Sequence, residues 1–204
     1  MELAADAAGS RSSGGEPPPP DDRELVALAL DRADAFAELY RRHVRDIHAY
    51  VYRRCGSSTV ADDVTAAAFE RALRHLRRFE WRDGGFRAWV FRIAANELTD
   101  HYRREDGRRR RDHRAAAAGI GVVFDADPAI AVDDREDPDG RATAQLRSAL
   151  ALLPPRYQEA ITLRYLSGLS QQEAAAAMGS SKATFAVTLH RALRALQQIM
   201  EPQQ

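Results

Sequence analysis

Cysteine occurs once in this 204-residue chain, at Cys55, and lysine once, at Lys182. A single thiol excludes an internal disulfide and a cysteine-based structural zinc site, and it fits a reducing compartment. The six histidines show no ligand spacing, so no metal site is expected. Long apolar runs are also missing: no stretch approaches the roughly 20 residues that span a bilayer. The amino-terminal segment has no cationic start leading into an apolar core, which argues against a secretory signal. The expectation is therefore a cytoplasmic location without membrane insertion. No nucleophile–base pair, phosphate loop or metal spacing stands out, so the sequence points away from an enzyme and calls for no cofactor.

What the chain does have is arginine, unevenly placed. Thirty basic and thirty acidic residues cancel to a formal net charge of zero. Yet arginines dominate from Arg71 to Arg114, while Asp125, Asp127, Asp133, Asp134, Glu136, Asp137 and Asp139 face a single Arg135. A neutral total thus hides a basic segment followed by an acidic one, and the basic segment suits a polyanionic partner.

The fold class is all-α. Residues 1–22, with Pro17 to Pro20, are too poor in apolar side chains to offset ordering entropy and read as a disordered tail. From about Asp31 to Arg53, Phe36, Leu39, Tyr40, Ile47 and Val51 mark the inward face of a helix that Cys55-Gly56-Ser57-Ser58 breaks. A second helix, about Thr59 to Phe79, turns Val64, Ala68, Ala72, Leu76 and Phe79 inward. Asp62 and Asp63 near its start suit either the helix dipole or a docking surface facing away from the core.

The stretch Phe79 to Arg104 organises the first unit. An aromatic, Gly-containing loop leads into a helix whose Phe86, Trp89, Val90, Ile93, Ala94 and Leu98 draw one stripe at helical spacing. The other face carries Arg87, Arg92, Asn96, Asp100, Arg103 and Arg104. Long cations, an amide and nearby aromatics are the parts needed to hold phosphate and to stack an unpaired base. Three or four helices with short connections make a compact bundle over residues 23–104.

Residues 105–141 show no sustained period and read as a flexible linker, basic and then acidic. A second helical unit covers residues 142–204. Leu146, Ala149, Leu150 and Leu153 form a short stripe ended by Pro154-Pro155, and Arg156 to Leu166 makes another short helix. Ser170-Gln171-Gln172-Glu173 has the capping-box pattern. A turn at Gly179-Ser180-Ser181 precedes a longer helix with Phe185, Leu189, Ala192, Leu196 and Ile199 inward. A short helix, a turn and a longer helix form the helix-turn-helix pattern, whose second helix enters the DNA major groove. Lys182, Ala183, Ala186, Val187, His190 and Arg194 point outward on that helix.

Together these segments resemble the sigma-70 family of bacterial RNA polymerase initiation factors, in the two-domain extracytoplasmic-function (ECF) form. FAELYRRH is similar to the family's opening helix, and VADDVTAAAFERAL to its polymerase-clamp-binding segment. FRAWVFRIAANELTDHYRR resembles its promoter-melting and −10-reading helix. LALLPPRYQEAITLRYLSGLSQQEAAAAMG with TFAVTLHRALRAL resembles its −35-binding domain.

The resemblance implies a factor that binds core RNA polymerase, duplex DNA at −35 and the melted strand at −10, with an anti-sigma protein as a further candidate partner. It assigns polymerase docking to Asp62, Asp63, Thr65 and Phe69. The flipped base and −10 strand fall to Trp81, Arg82, Asp83, Arg92, Asn96, Arg103 and Arg104. The −35 element falls to Ser181, Lys182, Ala183, Thr184, Ala186, Val187 and His190. Three departures stand out: Ala66 and Ala67 replace an amide and an acid, Ala186 and Thr188 replace cations, and Ala174 to Ala177 replace larger aliphatics. The alternatives are a stand-alone helix-turn-helix regulator and a sigma-like module that binds proteins without reading DNA.

Overall fold

The computed structural model describes residues 19–117 and 140–201, and every regular element among them is helical. The expected tail therefore falls almost wholly outside the described residues, as does the acidic run.

Helix α1 (Asp22–Leu28) opens the described chain and has no counterpart in the sequence reading. Its signal is local: Asp21 accepts from the Glu24 amide while Glu24 reaches back to the Asp21 amide, a reciprocal cap. Asp22 then ties α1 to the next helix, with Oδ2 2.7 Å from His43 Nε2 and Oδ1 3.2 Å from Arg42 Nη1. The hydrogen bond from His43, more than the charge of Arg42, holds the Asp22 carboxyl below the usual carboxylate range.

Helices α2 (Ala33–Cys55), α3 (Ser58–His75) and α4 (Gly85–Ala117) form the bundle, with a 3-10 turn at Leu76–Arg78. Leu39, Ile47, Tyr50, Val51, Ala68, Phe86, Val90, Phe91 and Ala94 are fully enclosed. Each large aliphatic or aromatic side chain taken from water here contributes on the order of 1.5–3 kcal/mol. Two details differ from the sequence reading. Tyr40 is 42% exposed rather than inward. Helix α4 does not stop at Arg104 but runs on to Ala117, because residues 105–117 are rich in arginine and alanine, strong helix formers that need no apolar stripe.

The second unit consists of α5 (Gly140–Ala151), α6 (Pro155–Ile161), a π-helical turn (Thr162–Leu166), α7 (Gln171–Ala177) and α8 (Lys182–Met200). The Ser170/Glu173 capping box forms as expected. Ala160, Leu163, Leu169 and Phe185 close its centre, and Leu153, Ile161 and Ala192 form a satellite cluster.

The two units do not have separate cores. Ala160, Leu163, Leu169, Ala174, Ala175, Ala177 and Phe185 belong to the same buried cluster as the α1–α4 bundle. Helix α7 lies on α4, and the π turn touches α2. The alanines at 174–177 are the reason α7 can come so close. A Cβ placed on Gly84, just before α4, would stand 3.1 Å from Ala176 Cβ and 3.2 Å from Glu173 Cα.

Candidate polymerase and promoter interfaces

The loop before α4 is built around aromatic rings. Phe79 packs on Trp89 at 4.7 Å between centroids and edge-on against Phe86 at 6.2 Å and Trp81 at 5.9 Å. Gly84 and Gly85 both hold left-handed backbone, with φ of +93° and +61°. A Cβ at Gly85 would meet the Trp81 ring at 3.0 Å, so the glycine is what lets the indole lie on the backbone. Trp81 remains 40% exposed, with the Arg23 guanidinium 5.9 Å from its ring centroid. An open indole on a fixed platform is suited to stacking an unpaired base.

Arg82, Asp83, Trp89 and Arg92 line a cleft of about 580 Å³ beside this loop. Arg82 is paired to Glu80 at 2.6 Å. Asn96 is exposed one turn beyond Arg92 on the same helix. Arg103 and Arg104 sit further along, exposed, around the Asp100 carboxylate and carbonyl. Arg71 joins them from α3 through an ion pair to Glu97. Sequence reasoning passes over Arg71 because it lies on another helix.

Arg87 does something different from its neighbours. Its spacing groups it with the phosphate-holding face, but its side chain is only 22% exposed. It donates to Asp46 Oδ2 and to the Ser167 carbonyl, both at 2.9 Å, and lies 3.6 Å from Glu173 Oε1. These carboxylates lie on α2 and α7, so Arg87 joins three helices.

The acidic pair lies along a groove between α2 and α3. Helix α3 begins at Ser58 with Ser57 as its cap and has no acid in its first turn, so Asp62 and Asp63 do not serve the helix dipole. Both are exposed, and Asp62 Oδ1 is 3.0 Å from His48 Nε2. Tyr40, Val44, Arg45, His48, Asp62, Thr65 and Ala66 line a groove of about 480 Å³. Thr65 and Phe69 are 4% and 3% exposed, so Phe69 supports the wall by packing edge-on against Tyr40 at 4.8 Å. Thr65 forms the floor with a buried hydroxyl that has no hydrogen-bond partner among the described residues. The stripe Tyr40, Val44, His48, each four residues apart on α2, is the sequence signal for this wall.

In the helix-turn-helix, Ser181 caps α8, its Oγ accepting from the Thr184 amide at 3.1 Å. Lys182, Ala183, Thr184, Val187 and His190 are exposed and Ala186 is half-buried. Thr188 is buried and donates to the Thr184 carbonyl at 2.9 Å. The threonine there therefore takes no outward-facing group from this helix. Two cations that the sequence reading overlooks flank the same face: exposed Arg156 and Arg191 line a cleft of about 410 Å³ with Tyr157, Thr184, Val187 and Thr188. Arg191 stands one turn beyond Val187, which is the signal for it.

No cluster of His, Cys, Asp or Glu placed to hold a metal occurs among the described residues, and none of their helices is long and apolar enough to cross a membrane.

A helical bundle carrying an aromatic, arginine-lined loop, followed by a helix-turn-helix, has the parts that a nucleic-acid-binding protein of two units would use. Comparison with known proteins specifies the class. The family model "Sigma-70 region 2" matches residues 39–108 and "Sigma-70, region 4" matches residues 143–196. The chain is 34% identical over 185 residues to the ECF RNA polymerase sigma factor SigF of Caulobacter vibrioides, covering 88% of this chain and 95% of that one. It is 32% identical over 178 residues to the ECF RNA polymerase sigma factor BldN of Streptomyces coelicolor, covering 87% of this chain and 65% of that one. It spans 57% of SigE of Mycolicibacterium smegmatis. Among solved structures, CnrH in complex with the cytosolic domain of CnrY superposes with a TM-score of 0.62 at 26% identity, over 88% of this chain and 96% of that one. The chain belongs to the sigma-70 family of RNA polymerase sigma factors, in its ECF branch.

Proposed function

We propose that this chain is a non-catalytic transcription initiation factor of the bacterial cytoplasm. It binds core RNA polymerase, recognises −10 and −35 promoter elements and promotes melting by trapping unpaired bases. The observation that carries this reading is the loop-and-helix site at Trp81–Asn96. An exposed indole, an exposed amide at Asn96 and exposed Arg92 are of little use against closed duplex, where bases are stacked, and suit a strand already unpaired. Residues 23–104 would bear this task and residues 142–204 the −35 task.

In this reading Asp62 and Asp63 meet cations on the polymerase along the groove floored by Thr65, whose wall Phe69 supports. Trp81, Arg82, Asp83, Arg92 and Asn96 receive the extruded base. Arg103 and Arg104 hold phosphates. Ser181, Lys182, Ala183, Thr184, Ala186, Val187 and His190 face the −35 major groove, with Arg156 and Arg191 supplying charge at its edges. CnrH occurs in complex with the cytosolic domain of CnrY, and a protein partner, an anti-sigma factor, is the further candidate this reading gives the chain. A module that binds proteins without reading DNA would need a recognition face without cations, and Arg156 and Arg191 count against it.

The test is reconstitution with core RNA polymerase from a related bacterium. Co-elution and discrete run-off transcripts are expected, with Asp62→Ala/Asp63→Ala losing co-elution and Asn96→Ala losing promoter opening but not co-elution. Failure to co-elute, together with tight duplex binding by the chain alone, would mean a stand-alone regulator instead.

A further inference from the structure

Helix α1 (Asp22–Leu28) lies ahead of residues 39–108, the segment matched by the sigma-70 region 2 model. Three ties fix it to the bundle. Leu25 is buried in the core, and Asp22 contacts His43 and Arg42 on α2. Just past the end of α1, the Leu30 carbonyl accepts from Arg77 Nη2 at 3.0 Å. So short a helix would not persist alone in water, and these contacts set its place. Their effect is to bring Arg23 to the loop before α4.

The Arg23 guanidinium stands 5.9 Å from the centre of the Trp81 indole. Stacked flat groups lie roughly 3.4 Å apart, so the guanidinium faces the ring without lying on it. Two such steps come to roughly 7 Å, and a base can enter between the two when Arg23 draws back by roughly 1 Å. Arg23 is free to do so. It is exposed and is not among the arginines that pair with described carboxylates, whereas Arg82 is tied to Glu80 and Arg103 to Asp100. The indole, by contrast, is backed by Gly85 and Phe79. Charge points the same way. The loop carries Glu80, Arg82 and Asp83, two acids to one cation, and alone would repel a polyanion. Exposed Arg23 from α1 and Arg92 from α4 reverse that balance around the loop.

We propose that α1 is part of the strand-reading site, holding Arg23 over Trp81 so that an unpaired base is clasped between guanidinium and indole. This rests on the reading of the loop as the −10 site and adds to it a binding residue from outside the loop and its helix. A guanidinium suits the task because it is planar and stacks, whereas an ammonium is a compact point charge. Asp22 is then a positioning residue, acting on the base only through the placing of Arg23.

The test is a double-mutant cycle on the full chain with core polymerase, read as permanganate footprinting of a fragment that gives a discrete transcript. Arg23→Ala is expected to lower open-complex formation about fivefold and Trp81→Ala about tenfold. The double variant should be no worse than Trp81→Ala alone, since both groups hold one base. Arg23→Lys keeps the charge and should behave as Arg23→Ala does. Co-elution with polymerase and the melting temperature should be unchanged in Arg23→Ala. Asp22→Asn should weaken the footprint of the wild type but not that of Arg23→Ala, whereas a general loss of stability would weaken both. In parallel, the free full chain is titrated with a fluorescein-labelled single strand of mixed sequence, through the same cycle.

Additive losses, or an Arg23→Ala variant that opens promoters as the wild type does, would overturn the proposal and leave the sigma reading standing. An Arg23→Lys variant equal to the wild type would mean a plain phosphate contact and would overturn it too. If the wild type binds no polymerase, the sigma reading fails and the single-strand titration decides alone. Coupling between Arg23 and Trp81 there keeps the clasp, and its absence removes it.

Discussion

At the scale of single residues, Asn96 is the sharpest test of the proposed −10 site. It is exposed and lies one turn from Arg92, and no core packing depends on it. Asn96→Ala should therefore leave the melting temperature unchanged while lowering open-complex formation about tenfold, the worth of one good base contact, read by permanganate footprinting. Asp22 makes the opposite kind of prediction. Its carboxyl is held low by His43 and Arg42, so its contribution to stability is full above the ordinary carboxylate pKa and is lost as pH falls through the lowered value. Asp22→Asn should cost about 1–2 kcal/mol at neutral pH and nothing in strong acid, measured by urea denaturation. The outward placement of most residues of the proposed −10 site is legible in the sequence, because a helical stripe fixes which positions turn outward. Arg87 is not, since its periodicity places it on the polar face while its partners come from α2 and α7, and no local pattern carries that information. Arg71 and Arg156 escape notice for the same reason: each gains its place from an element distant in sequence.

At the scale of elements, caps and turns are the most readable features. The Ser170 capping box is visible as a tetrapeptide and forms with both bonds. Ser170→Ala should cost about 1 kcal/mol, lowering the thermal midpoint by a few degrees. The equivalent box at Asp21 and Glu24 is just as local and is overlooked only because the preceding segment looks like a tail. The run of alanines in α7 misleads when taken alone. As a core it is thin; as a surface against Gly84 and Ala88 it is what allows two helices to touch. Half-buried Glu159 on α6 adds a pH dependence to the fold. Burial pushes its carboxyl up, with Arg54 on α2 and Arg156 on its own helix pulling it partly back, and buried Tyr50 on α2 bears on it as well. A raised value means that the folded chain favours the proton. The contribution of Glu159 to stability should be full below the ordinary carboxylate pKa and be lost as pH rises through the raised one. Urea denaturation should show stability falling over that range, and Glu159→Gln should abolish the change.

At the scale of the whole molecule, salt should report how many phosphates the factor holds. Removing Arg103 and Arg104 together is expected to lower the slope of promoter affinity against salt by about two, one for each phosphate no longer held, with polymerase binding unaffected. The division into two units is readable from the change in composition between them, but their union is not: nothing in either unit's own periodicity says that Phe185 and Leu39 belong to one buried cluster. That shared cluster has a thermodynamic consequence. A chain whose halves bury their apolar side chains in common cannot lose one half and keep the other at full stability. The free protein should accordingly melt in a single calorimetric transition whose van't Hoff and calorimetric enthalpies agree. Ala176→Glu should split that transition into two, the helix-turn-helix unit melting first as the smaller body. In the wild type, slowly exchanging amides of α4 and α7 should open with similar free energies, because breaking either helix out of the fold means breaking the core of both.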